Sequence, residues 1–449
     1  MTAGLHDRKT ARQSEMSKIV AIVGRPNVGK STLFNRMTES RAAIVNEESG
    51  VTRDRHYGKV IWNGVEFSVI DTGGFVENSA DVFESEINRQ VRLAISEADV
   101  IIFMVNVEDG IHELDKSVAE MLRKVEKKVI TVVNKVDNNA RLLEAAEFYG
   151  LGLGEYFAIS SVSGSGTGEL LDEIVLHFPD VTEDPEPELP RVAVVGRPNV
   201  GKSSLANTLL GEERNIVTPV AGTTRDSINS LYNKYNYRFY LIDTAGLRKK
   251  AKVDEDIEFY SILRSVRSIE ESDICLLLLD ATRGLESQDM TILSMILKNN
   301  KGVIILVNKW DLIEKDHNTA KQFEKEIRSR TAPFTDYPVL FISAITKLRV
   351  HQILSLIMKV YENRTRKIST SQLNEVMLKH IADNPPPSLK GKHIKIKYAT
   401  QLPAAYPAFA FFCNFPQYIR DPYRRYVENR LRDSFELTGT PAKIYFRKK

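Results

Sequence analysis

Short, strongly apolar runs recur along the chain, separated by longer stretches in which apolar positions fall at helical spacing. In the first third they are residues 18–23, 66–70, 100–105 and 128–133, and in the middle third 191–195, 238–242, 274–279 and 302–307. Runs that are apolar throughout, rather than alternating, predict strands covered on both faces, so each set reads as a parallel sheet sandwiched by helices. The pattern changes after residue 361. A helix is expected over 373–382, NPPPS at 384–388 breaks it, and 393–400 alternates as a half-buried strand. A strand at 407–413 follows, then a helix over 418–435 with Ile419, Tyr423, Val427, Leu431 and Phe435 on one stripe, and a last strand at 442–447. The sequence therefore predicts an α/β chain of two doubly wound domains, 17–179 and 191–361, each with helices on both faces of its sheet, followed by a small α+β domain of order αββαβ, 362–449. Residues 180–190, DVTEDPEPELP, are acid- and proline-rich and read as an extended linker. Residues 1–16 are expected to be an extension ahead of the first strand.

The two larger domains are copies of one another. GRPNVGKS at 24–31 recurs at 196–203, and at the same offset of 172 Gly50, Thr52, Arg53 and Asp54 map onto Gly222, Thr224, Arg225 and Asp226. Asp71, Thr72 and Gly74 map likewise onto Asp243, Thr244 and Gly246, while Asn134, Lys135 and Asp137 match Asn308, Lys309 and Asp311 at an offset of 174. Four motifs in the same order, twice, indicate a duplicated domain rather than a solenoid, whose units are far shorter.

These motifs carry a specific chemistry. A strand ending in GxxxxGKS turns backbone N–H groups and a helix N-terminus toward an anion, so Gly24, Gly29, Gly196 and Gly201 shape a phosphate cradle. Lys30 and Lys202 should reach the β and γ phosphates, and Ser31 and Ser203 should ligate Mg²⁺, with Thr32 and Ser204 continuing the cradle. Asp71 and Asp243 end apolar strands, where a carboxylate holds the Mg²⁺ shell, and Gly74 and Gly246 offer N–H groups to the γ phosphate. Thr52 and Thr224 are placed to complete that shell, which makes 47–56 and 221–229 candidate switches. Asp137 and Asp311 select the base: a carboxylate accepts in parallel from guanine N1–H and its amino group, a pair that adenine does not present. The residue after Gly74 or Gly246 is Phe75 or Leu247, neither of which can orient water, so intrinsic turnover should be slow. Arg25 and Arg197 flank the phosphates and are expected to support the loop rather than act as catalytic fingers.

Composition narrows the remaining choices. The chain has 449 residues, 42% hydrophobic and 27% charged, an ordinary globular balance. Apolar runs such as 100–105 and 274–279 stop at six residues, against roughly 20 for a membrane-spanning helix. The polar N-terminus carries no secretory signal, so a cytoplasmic location without membrane contact is expected. Cys275 and Cys413 lie in apolar strands and form no disulfide framework. Net charge is +3 but uneven: residues 361–449 hold 17 Lys and Arg against 7 Asp and Glu, a surplus of +10 over a body at −7. A basic tail of this kind points to a polyanion partner or to a solvated face.

With these motifs the chain resembles the bacterial tandem GTPases of the Era-like family of P-loop GTPases, over essentially residues 17–449. The tail resembles that family's KH-like domain through KIKYATQ, Pro385–Pro387, RYVENRLRDSF and GTPAKIYFRKK. The resemblance implies binding of GTP and GDP, GTP hydrolysis, and use of that hydrolysis in maturation of the large ribosomal subunit, with ribosomal RNA and subunit precursors as partners and a monomeric chain. It also implies that Asn27 and Asn199 hold K⁺ and that Ser160-Ser161 and Ser343-Ala344 form a further nucleotide motif. The chain departs from the family at Ser49, where proline is usual, at Ser161, where alanine is usual, and in lacking a GxxG loop between the C-terminal helices, which argues against single-strand reading by such a loop. The alternative reading is a binding module in which one domain holds its nucleotide statically.

Overall fold

A computed structural model describes residues 18–39, 57–72, 87, 91–92, 94–178, 189–211, 229–242, 258–389 and 391–448, with side chains described from 265 onward in the helix Glu258–Glu271. The first repeat is a six-stranded sheet built from β1 (Ile19–Val23), β2 (Tyr57–Trp62), β3 (Val65–Asp71), β4 (Val100–Asn106), β5 (Lys128–Asn134) and β6 (Tyr156–Ala158), in the order β2-β3-β1-β4-β5-β6. The second repeats it with β7 (Arg191–Gly196), β8 (Ser230–Lys234), β9 (Tyr237–Leu241), β10 (Ile274–Asp280), β11 (Gly302–Asn308) and β12 (Val339–Phe341), in the same spatial order. Every residue of β4 and of β10 is buried, as expected of a central strand with helices on both faces.

The sheets are mixed, not wholly parallel as the apolar runs suggest. β2 and β8 run antiparallel to β3 and β9, each at one edge of its sheet. Each hairpin turns on two residues at positive φ, Asn63 (48°) with Gly64 (80°) and Tyr235 (52°) with Asn236 (63°). Two-residue turns of that handedness match the twist of the paired strands. In β2 only Tyr57 and Val60 are buried and the other positions are half-buried, because one flank of an edge strand meets solvent.

The third domain has the expected αββαβ order: helix Thr370–Asp383, β13 (Ile396–Gln401), β14 (Ala408–Cys413), helix Asp421–Ser434 and β15 (Lys443–Lys448). β13 pairs antiparallel and β15 parallel to the central β14. Leu373, Met377 and Ile381 from the first helix and Tyr423, Val427 and Leu431 from the second pack against Phe409 and Phe411.

By contact density the chain forms two compact units, 1–184 with 259–267 and 185–258 with 268–449, so the C-terminal domain shares a unit with the second repeat. The joint is made largely of backbone. Gly439 accepts from Val303 N at 2.7 Å and donates to Asp336 O at 2.8 Å, and Arg432 pairs with Asp336 at 3.1 Å. Gly439 sits at φ +82°, and a Cβ there would lie 2.6 Å from Val360 Cγ2. Among the described residues no helix is long and apolar enough to cross a membrane.

Candidate functional site

The strand-loop-helix β1 to Lys30–Glu39 and its copy β7 to Lys202–Leu210 are superimposable in their dihedrals. Gly24 and Gly196 both stand at φ +148°, Asn27 and Asn199 at +65° and +60°, and Gly29 and Gly201 at +102°. The glycines are required sterically. A Cβ on Gly24 would meet Met104 O at 2.3 Å and one on Gly29 would meet Asn134 Nδ2 at 2.3 Å, with Leu278 O at 2.6 Å and Asn308 Nδ2 at 2.3 Å in the second copy. Lys30 Nζ donates to Gly24 O and Arg25 O, both at 2.7 Å, and Lys202 Nζ to Gly196 O and Arg197 O at 2.8 and 2.6 Å. Burial pushes the Lys30 ammonium down to about 8, with Asp71 opposing the shift. A desolvated cation beside a glycine-rich loop and a helix N-terminus is a site for a polyanion.

Arg25 and Arg197 do not reach into that cradle. Arg25 binds Asp109 at 2.8 Å and Asp115 at 3.1 Å, and Arg197 binds Asp289 at 2.9 Å together with Glu286. Both tie the loop to the helix that follows the central strand, Glu113–Leu122 or Ser287–Lys298. Burial raises the Asp115 and Asp289 carboxyls above their ordinary range even so.

The base-side motif is joined to the phosphate loop through one side chain. Asn134, buried at the end of β5, donates to Val28 O at 2.8 Å and accepts from Ser161 N and Ser161 Oγ at 2.9 Å. Asn308 repeats this with Val200 O at 2.7 Å and Ala344 N at 2.9 Å. Three motifs distant in sequence thus share one amide. Ser161 in place of alanine adds a hydrogen bond to that hub, so the departure is accommodated. Ser160 and Ser343 brace the same turns, their hydroxyls accepting from Ser163 N and Thr346 N. Lys135 and Lys309 both adopt the left-handed region, φ +67° and +61°, and turn the chain so that Asp137 and Asp311 follow at the rim. Lys135 pairs with Glu108 at 2.9 Å, Lys309 with Asp280 at 2.6 Å.

On the metal side Ser31 Oγ donates to Asp71 Oδ2 at 2.5 Å, and Thr72 Oγ1 holds Ile22 O at 2.8 Å. Ser203 Oγ is buried with no hydrogen-bond partner among the described residues. Convergent hydroxyl and carboxylate oxygens in the first copy fit a hard divalent cation. Thr32 is exposed and Ser204 half-buried one residue further along each helix. Thr52, Gly74, Phe75, Thr224, Asp243, Gly246 and Leu247, and most of the acidic linker, lie outside the described residues.

Two further residues emerge from the structure alone. Val162 and Ile345, each next after the third motif of the hub, are both 78% exposed. A β-branched apolar side chain left bare at the same place twice is the signal that symmetry offers and that a lone valine in a polar turn does not.

A phosphate loop and a base-side NKxD turn joined at the end of one sheet, found twice here and with the Asp71 carboxylate beside the loop in the first copy, define tandem P-loop GTPase domains. Comparison with known proteins agrees. Residues 19–135 and 191–309 match the family described as 50S ribosome-binding GTPase, and 367–447 match the KH-domain-like C-terminal family of EngA bacterial GTPase enzymes. GTPase Der of Bacteroides thetaiotaomicron is 59% identical over 437 residues, spanning 97% of this chain and 100% of that protein. GTPase Der of Christiangramia forsetii is 58% identical over 434 residues, with the same coverage. The chain belongs to the GTPase Der family. Among solved structures, the G domain of the T. maritima FeoB iron transporter is 30% identical with a TM-score of 0.27, covering 36% of this chain and 98% of that one. Era of Aquifex aeolicus bound to GDP and AlF4⁻ is 24% identical with a TM-score of 0.30, covering 59% of this chain and 94% of its own.

Proposed function

We propose that this GTP-binding and GTP-hydrolysing enzyme spends GTP in the cytoplasm as a monomeric assembly factor of the large ribosomal subunit, engaging ribosomal RNA and subunit precursors. The observation that carries this reading is the pairing of two phosphate loops, each joined to its base-side turn by one asparagine, with a basic C-terminal domain, in a family described as 50S ribosome-binding GTPase. In each cradle the loop amides and Lys30 or Lys202 bind the β and γ phosphates. Asp137 and Asp311 read the guanine edge, while Val162 and Ile345 offer the purine an apolar flank. Ser31, Asp71 and Thr52, with Ser203, Asp243 and Thr224, would hold Mg²⁺, which neutralises developing phosphate charge when bound. Gly74 and Gly246 would donate N–H to the γ phosphate. Asn27 and Asn199, already in the left-handed conformation that asparagine tolerates, would offer oxygens to K⁺.

The reading is tested by co-sedimentation of the full chain with large-subunit precursors, with a non-hydrolysable GTP analogue or with GDP. Binding that depends on the nucleotide and falls steeply with added salt is expected. Binding unaffected by nucleotide would refute a GTP-driven role.

A further inference from the structure

The guanine-side rim differs between the two domains. In the first, Arg141 lies one turn beyond Asp137 on the helix Asn139–Glu144, whose start is capped by Asn138 accepting from Arg141 N at 3.0 Å. Its Nη1 donates to Asp137 Oδ2 at 2.9 Å and to Lys135 O at 3.0 Å, and its Nη2 donates to Glu108 Oε1 at 2.7 Å. Lys135 Nζ closes the ring on Glu108 Oε2 at 2.9 Å. Hydrogen bonds from Lys135 and Arg141 hold Glu108 below the usual carboxylate range.

At the matching positions of the second domain no such ring forms. Arg141 is replaced by Lys315, whose ammonium lies 5.8 Å from the Trp310 ring, and Glu108 by Thr282, which donates to Asp280 at 2.7 Å. Lys309 turns to Asp280, and Asp311 has no side-chain hydrogen bond or ion pair among the described residues.

We propose that Arg141 is a positioning residue that presents the Asp137 carboxylate to guanine in the first domain only. The inference rests on the reading that Asp137 recognises the base. A carboxylate has about four acceptor sites; Arg141 occupies one on Oδ2, and guanine N1–H and its amino group need two more, so arginine and base share the group without competing. A guanidinium that also grips the Lys135 carbonyl fixes the carboxylate relative to the turn bearing it, which a lysine over an indole does not. The exposed ring is not a strong stabiliser by itself, and its effect is on geometry.

The test compares GDP with inosine diphosphate, which has the same phosphates but lacks the 2-amino group. In the full chain carrying Lys202→Ala, so that the first domain is read, Arg141→Ala should lower the GDP-over-IDP affinity ratio roughly three- to tenfold, between the worth of an exposed ion pair and of one charge-assisted hydrogen bond. Arg141→Lys should fall between, and the same substitutions in a Lys30→Ala chain should leave the second domain's ratio unchanged. An unchanged ratio, an equal loss for both nucleotides, or tighter GDP binding would overturn the proposal. Asp137→Ala separates the two levels: if it abolishes the preference while Arg141→Ala does not, only the role of Arg141 fails. If Asp137→Ala keeps the preference, base reading by Asp137 fails and this inference falls with it.

Discussion

At the scale of single residues, the proposed function would have each domain depend on one acid for its base and one lysine for its phosphates. Removing the Asp137 or Asp311 carboxylate loses two charge-assisted bonds, so Asp137→Ala and Asp311→Ala should each weaken GTP at their own site by roughly a hundredfold to ten-thousandfold. Titration calorimetry on the full chain checks this, and unchanged affinity would contradict the assignment. Lys30 predicts a proton effect. Its folded value, near 8, lies below the ordinary 10.5, so between these limits the unfolded chain binds more protons than the nucleotide-free folded one. This group's contribution to stability therefore improves as pH rises through that window. Phosphate raises the lysine's proton affinity, so nucleotide binding above about pH 8 should take up a proton. Calorimetry in buffers of different ionisation enthalpy should show that uptake, and Lys30→Ala should remove it from the first site. Much at this scale was legible in the sequence because glycine, lysine and acid recur at fixed spacing. Asn134 was legible only as part of a turn. That it holds Val28 and Ser161 together depends on residues 106 and 27 positions away meeting at one strand end. Val162, Ile345 and Arg141 have no motif to announce them.

At the scale of elements, the central strands announce themselves because burial on both faces demands unbroken apolar runs such as 100–105 and 274–279. The edge strands β2 and β8 are masked by the polar residues of their half-exposed faces, although Asn63-Gly64 is a hairpin signal in its own right. The C-terminal helix 421–434 follows the stripe drawn by Tyr423, Val427 and Leu431. What its sequence does not reveal is that the segment after it attaches to β11. There Gly439 is confined by Val360 and held by two backbone bonds. Gly439→Ala forces a side chain into left-handed backbone and a 2.6 Å contact, and should cost about 1–3 kcal/mol. Thermal unfolding checks it, the loss appearing in the unit that contains the second repeat; an unshifted transition would mean the joint is loose.

At the scale of the whole molecule, duplication means that a single fold occurs twice, with like dihedrals in both phosphate loops. The rims diverge where the loops do not: a ring of Glu108, Lys135, Asp137 and Arg141 in one domain, and Lys309 turned to Asp280 in the other. Two sites with one cradle and two rims can be loaded at different nucleotide concentrations while sharing a chemistry. The most direct test is the binding stoichiometry of purified full-length chain by equilibrium dialysis with GDP and with ADP. Two guanine nucleotides per chain, one after either Lys30→Ala or Lys202→Ala, and exclusion of ADP are the expected result. Saturation at one equivalent, or comparable uptake of ADP, would contradict the account.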